Sequence, residues 1–212
     1  MFHFFATFFI VMIFIVGYAL QRNHATREYE KKSHDFWERE SLANSTRKKT
    51  LDGLELITIP LESLPFSDSE DNTLKECEDI IRTLATQDII NLTGISNTDL
   101  KLTYGAPNFP YLSRCDQNFT DLVRTLNQWA KRLLELNQTD HAQTILEFAI
   151  DCKSDVSTTY QMLSAIYSEK HQGEKIQNLI KTAETLNTLL KNKILKDLER
   201  AYISSGFADL LD

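Results

Sequence analysis

Arg124, Asn127 and Lys131 are the residues whose types and spacing best suit chemistry with a ligand. Arg124 and Lys131 lie seven positions apart, so on a helix they share one side. Two cations there can grip a carboxylate or an acidic peptide through charge-assisted hydrogen bonds. Thr158, Gln161 and Ala165 occupy the corresponding positions further along the chain. The plainer account is a solvated helix face, because exposed charges are common and exposed ion pairs are weak. A second polar set, Thr93, Ser96, Asp99, Tyr104 and Tyr111, falls in the stretch 91–117, which holds Gly94, Gly105, Pro107 and Pro110. That stretch predicts a long irregular connection, which packs over a bundle or contacts a partner.

Catalytic arrangements are missing from the sequence. There is no spaced-glycine nucleotide fingerprint, no His-Glu-x-x-His, no Gly-x-Ser-x-Gly and no calcium-loop pattern. His141 and His171 sit where short polar turns are expected. No metal-ligand spacing and no cofactor motif occurs, so the reading is a non-enzyme without cofactor.

The elements that would carry Arg124 and its neighbours are amphipathic helices. Leu122, Leu126, Trp129, Ala130 and Leu133 fall at helical spacing, and Ala142, Ile145, Leu146 and Ala149 form a matching stripe after the turn Asn137-Gln138-Thr139-Asp140. The shift that lays Leu126 on Tyr160 also places Trp129 on Leu163, Ala130 on Ser164, Leu133 on Tyr167, Leu146 on Ile180 and Ala149 on Ala183. Large apolar falls on large apolar and small on small, and small residues let two helices approach closely. The second turn is His171-Gln172-Gly173-Glu174.

This duplicated hairpin resembles the tetratricopeptide repeat, the helix-turn-helix unit of about 34 residues found in protein-interaction solenoids. The resemblance implies stacked hairpins whose first helices line a concave face. It also implies a binding role for Arg124, Asn127, Lys131, Thr158 and Gln161. A lone hairpin cannot bury its apolar stripes, so neighbours must stack and the open ends must be capped. Thr73-x-x-Glu76 reads as a capping box opening a helix with Leu74, Cys77, Ile80, Ile81 and Leu84 on one face. Leu190, Ile194, Leu195 and Leu198 mark a last helix, read as a terminal cap.

Met1 to Leu20 carries no charged side chain, with His3 neutral, and is long enough at about 1.5 Å per residue to cross the hydrocarbon layer. It predicts a transmembrane helix; a cleaved signal is the competing reading, weakened by the lack of Lys or Arg before the apolar run. Arg22, Arg27, Lys31 and Lys32 follow it, beside lipid headgroups, and place the remainder in the cytoplasm. Residues 21–50 hold eight Lys or Arg against five Asp or Glu, whereas residues 51–212 hold 15 against 25. A basic neck thus precedes an acidic body, which would repel nucleic acid. Cys77, Cys115 and Cys152 form no paired pattern and predict buried thiols. Asn44, Asn91, Asn118 and Asn137 begin Asn-x-Ser/Thr matches that matter only in a secretory compartment.

The expectation is therefore an all-α chain in five parts: a membrane helix (1–20), a polar stalk (21–50), an extended strap (51–66), a capping helix with a long loop (67–118), and two hairpins with a final cap (119–212). Its expected work is scaffolding at a cell membrane: holding a protein or peptide partner, with the bilayer engaged through residues 1–20. Two alternatives differ in class: an enzyme whose groups converge on 91–117, and a binding protein outside the cytoplasm.

Overall fold

The computed structural model describes residues 2–67 and 69–205. Before Thr26, side chains are described for Met12, Gly17, Tyr18, Gln21, Arg22 and His24 alone. Among the described residues the chain is all-helical, with eight α-helices, one short 3-10 turn and no strand. It divides into two units, one of residues 1–50 with 96–109, the other of residues 51–95 with 110–212.

In the first unit α1 (Phe2–Ser45) runs unbroken for 44 residues and α3 (Asn97–Tyr104) packs on its carboxyl-terminal end. Ala43 and Leu100 are buried there, but most of the fastening is polar. Glu40 accepts from the Thr98 hydroxyl, Arg39 pairs with Asp99, and Lys101 Nζ donates to Asn44 Oδ1 at 2.8 Å. The Asn108 amide donates to the carbonyls of Lys49 and Tyr104, both at 2.8 Å. Gly105, at φ 91°, lies so close to the Arg47 carbonyl that a Cβ would collide with it. Among the described residues no helix is long and apolar enough to cross a membrane. The run 1–20, expected to do so, falls largely outside the residues whose side chains are described.

The second unit contains α2 (Asn72–Leu84), α4 (Phe109–Glu135), α5 (Thr139–Asp151), α6 (Ser157–Glu169), α7 (Gly173–Glu184) and α8 (Lys191–Ser204). α4 starts with Pro110 in its first turn, where a missing N–H leaves no intrahelical bond unmade. Leu122, Leu126, Trp129, Ala130 and Leu133 of α4 join Ala142, Ile145, Leu146 and Ala149 of α5 in one core with Tyr160, Leu163, Ile176, Leu179 and Ala183. α6 packs against α5, α7 and α8.

The turns after α4 and α6 match in detail. Asn137 and His171 both take left-handed backbone, at φ 58° and 55°. The Gln138 N–H donates to Leu133 O and the Gln172 N–H to Tyr167 O, both at 2.8 Å. The Asn137 and His171 amides reach Leu134 O and Ser168 O, which completes the same helix-ending motif twice. Lys153, at φ 57°, ends α5 likewise, with Ser154 N–H donating to Ala149 O. The start of α8 at Lys191 follows the start of α6 at Ser157 by the interval that separates His171 from Asn137.

Several sequence expectations are corrected. Residues 91–117 are not one loop, since they contain α3, the 3-10 turn Ala106–Asn108 and the first turns of α4. The cap of α2 is Asp71, whose carboxylate accepts from Thr73 N–H at 3.0 Å and Leu74 N–H at 3.1 Å, while Thr73 lies inside the helix. Arg132 also holds Asp71 Oδ2, at 2.6 Å, so that carboxylate ties α2 to α4 as well as capping it. Ile80 is exposed, and Glu78 is buried instead, accepting from the Ser67 N–H at 3.1 Å. Residues 54–59 belong to no helix or strand, Ile57 N–H donates to Ile89 O at 2.9 Å, and Ile59 and Leu64 enter the core.

Candidate functional site

The residues singled out on the hairpins divide into two groups. Asn127 bridges α4 to α6: its amide donates to Thr159 Oγ1 at 3.0 Å and its carbonyl accepts from the Thr158 hydroxyl at 3.1 Å. Gln161 donates to Asp197 Oδ2 of α8 at 3.0 Å. These three side chains, Asn127, Thr158 and Gln161, stitch first helices together. Arg124 and Lys131 are exposed, and among the described residues neither makes an ion pair or side-chain hydrogen bond. A cation left unpaired on an acidic body is available to an incoming carboxylate.

Arg124 also lines a cleft of about 500 Å³ formed by residues 92–95, α4 and the start of α6. Its apolar lining includes Leu92, Phe119, Val123 and Val156, and Asp116, Asn127 and Asp155 are among its other polar groups. Hydrogen bonds, most of them to distant parts of the chain, place residues 92–95. The Asn91 amide donates to the carbonyls of Cys152 and Lys153 at 3.1 and 3.2 Å, and its Oδ1 accepts from Thr93 N–H at 3.0 Å. The Leu92 N–H donates to Asp116 Oδ1 at 3.3 Å, and Asn187 reaches Gly94 O. Gly94 is required twice, by φ 82° and because a Cβ would run into the Asn187 backbone. Burial raises Asp116 above the ordinary carboxylate range, although the Leu92 amide opposes the shift.

No histidine or cysteine is among the lining residues of the cleft. The three thiols lie elsewhere in the core; burial pushes Cys77 up to about 11 and Cys152 up to about 12, which removes the thiolate that a nucleophile needs. One metal-compatible group occurs among the described residues, His34, Asp35 and Glu38, fully exposed on a single helix.

The other predicted residues do not converge. Thr93 lines the cleft. Ser96 caps α3 and Asp99 pairs with Arg39, with Ser96 and then Arg39 holding that carboxyl below its usual range. The Tyr111 hydroxyl donates to Asp88 at 3.0 Å, and burial, reinforced by that bond, pushes it up to about 12. Arg22, Arg27, Lys31 and Lys32 are exposed on α1 and spread around its circumference rather than along one side. Sequence reasoning missed Asp116 and Asp155 as cleft residues; the one advance signal was Asn91 followed two positions later by Thr93, a local turn pattern.

No protein-family model matches the chain, and neither a curated protein nor a solved structure matches it.

Proposed function

We propose that this chain is a membrane-anchored, non-catalytic interaction module that holds a protein or peptide partner on its first hairpin, in the manner of tetratricopeptide-like repeats. The observation that carries it is the pair of unpaired cations, Arg124 and Lys131, with Arg124 at the edge of a partly apolar cleft. A partner segment with a carboxylate for Arg124 and an apolar side chain for the Leu92, Phe119 and Val123 lining fits that combination. The two hairpin turns, alike in backbone and hydrogen bonds, support the repeat reading.

Residues 1–20 serve as the anchor, with Arg22, Arg27, Lys31 and Lys32 at the headgroups and the acidic body in the cytoplasm. Two asparagines support that side. Asn118 is buried with its amide donating to Asp88 O at 2.9 Å, and the Asn91 amide is bound to two carbonyls. A glycan on either nitrogen would remove those bonds, so the fold suits a compartment without N-glycosylation.

Co-purification of the full chain in detergent, followed by identification of bound proteins, tests the reading. A partner set released by an excess of acidic peptide is expected. An absence of any partner together with turnover of a small-molecule library would replace the module by an enzyme.

A further inference from the structure

The outward side of α8 differs from the rest of its unit. Its inward side buries Ile194 and Leu198. On the outward side Lys193, Lys196 and Arg200 follow one another at spacings of three and four, so they share one face. Lys193 and Lys196 meet no carboxylate among the described residues, and Arg200 stays two-thirds exposed with Asp197 3.9 Å away. Exposed apolar side chains bracket this row, Leu189 in the turn before the helix and Ile203 near its end, at 101% and 65% of full exposure. The turn that presents Leu189 is braced, because the Thr188 hydroxyl donates to Asp155 Oδ2 at 3.0 Å and accepts from the Leu190 N–H at 3.3 Å. Residues 51–212 carry 15 basic against 25 acidic residues, so three cations in a row run against the charge of their own domain.

We propose that this face of α8 docks on an anionic lipid surface, with Lys193, Lys196 and Arg200 on headgroup phosphates and Leu189 and Ile203 in the interfacial layer. A straight row of cations on a helix, ending in apolar side chains at the level of the interface, matches a flat negatively charged sheet. An acidic protein segment is the competing occupant. Lipid is favoured because the cations are strung along one side of the helix with an exposed apolar side chain near either end. The inference does not rest on the anchor at residues 1–20.

The test is a reporter at the tip. In full-length Leu189→Cys an environment-sensitive dye goes to position 189, because Cys77, Cys115 and Cys152 are buried. The labelled protein is mixed with vesicles of phosphatidylcholine alone or of phosphatidylcholine with phosphatidylserine, each with or without quencher-bearing lipid. A blue shift and quenching in the phosphatidylserine vesicles alone are expected, both lost at high salt and in Lys193→Glu/Lys196→Glu/Arg200→Glu. Lys193→Gln/Lys196→Gln, milder for folding, retains part of the signal. An unchanged spectrum in both vesicle types, or a shift that survives charge reversal, overturns the proposal. A shift with soluble polyglutamate and none with vesicles overturns it too, and gives the face to an acidic protein. Flotation with neutral vesicles reports the anchor separately.

Discussion

The two hairpins share a backbone and differ in what their outer faces are free to do. α4–α5 and α6–α7 end their first helices on the same left-handed turn with the same pair of hydrogen bonds. Arg124, Asn127 and Lys131 of the first nonetheless correspond to Thr158, Gln161 and Ala165 of the second. In the second hairpin these positions are neutral, and Gln161 is engaged by Asp197 of α8. In the first, two of the three remain uncommitted cations. The matching turns give the two helix pairs the same local backbone, and the side chains at corresponding positions differ in whether a neighbouring helix engages them. Position in a repeat fixes where a side chain points, but the neighbouring helix decides whether it is available.

The largest effect on this comparison comes from the shared core. Trp129 and its counterpart Leu163 are both buried, so Trp129→Ala should cost about 3–5 kcal/mol and Leu163→Ala about 2–5 kcal/mol, read as urea midpoints. A loss below ~1 kcal/mol in either would mean that the two positions are not equivalent core sites.

Acid titration acts where α2 meets the first hairpin. The Arg132 side chain, and next the Leu74 amide, hold Asp71 below its ordinary value. A carboxyl depressed in the folded state contributes stability that is complete above its unfolded pKa of about 3.9 and is lost as pH falls through the folded value. Arg132→Gln should therefore flatten the loss of thermal stability below about pH 4. An unchanged acid limb would show that the Asp71 contact does not govern it.

The smallest effect sharpens the turn match. A left-handed residue other than glycine costs about 1–2 kcal/mol, less for asparagine, and glycine returns part of that as chain entropy. His171→Gly should gain roughly 0.5 kcal/mol and Asn137→Gly less, measured by thermal unfolding. Destabilisation by both would contradict the left-handed assignment.

Much of this architecture is legible in the sequence because it rests on periodic apolar side chains. The shift that lays Leu126 on Tyr160 and Ala149 on Ala183 pairs residues that are buried in both hairpins. What escapes such a reading depends on contacts between distant positions. Asn127 looks like a surface residue of α4 until α6 brings Thr158 and Thr159 against it. α3 is short, and polar bonds to α1 from a remote part of the chain do much of its fastening, while Ser96-x-x-Asp99 is the local pattern that marks it. The cleft behaves the same way, since Asn91 fixes residues 92–95 by bonding to the far-off carbonyls of Cys152 and Lys153. Asp71 outcompetes Thr73 as a cap because Arg132, equally remote, stabilises its charge.

Parallel charge reversal on the two hairpins, with partner capture by the full-length protein as the readout, probes the asymmetry most directly. Arg124→Glu/Lys131→Glu should abolish capture and Ala165→Glu, at the position corresponding to Lys131, should leave it within about twofold, with melting temperatures of both variants close to that of the parent. Equal loss in both variants, or undiminished capture after reversal at Arg124 and Lys131, would contradict the assignment of recognition to the first hairpin.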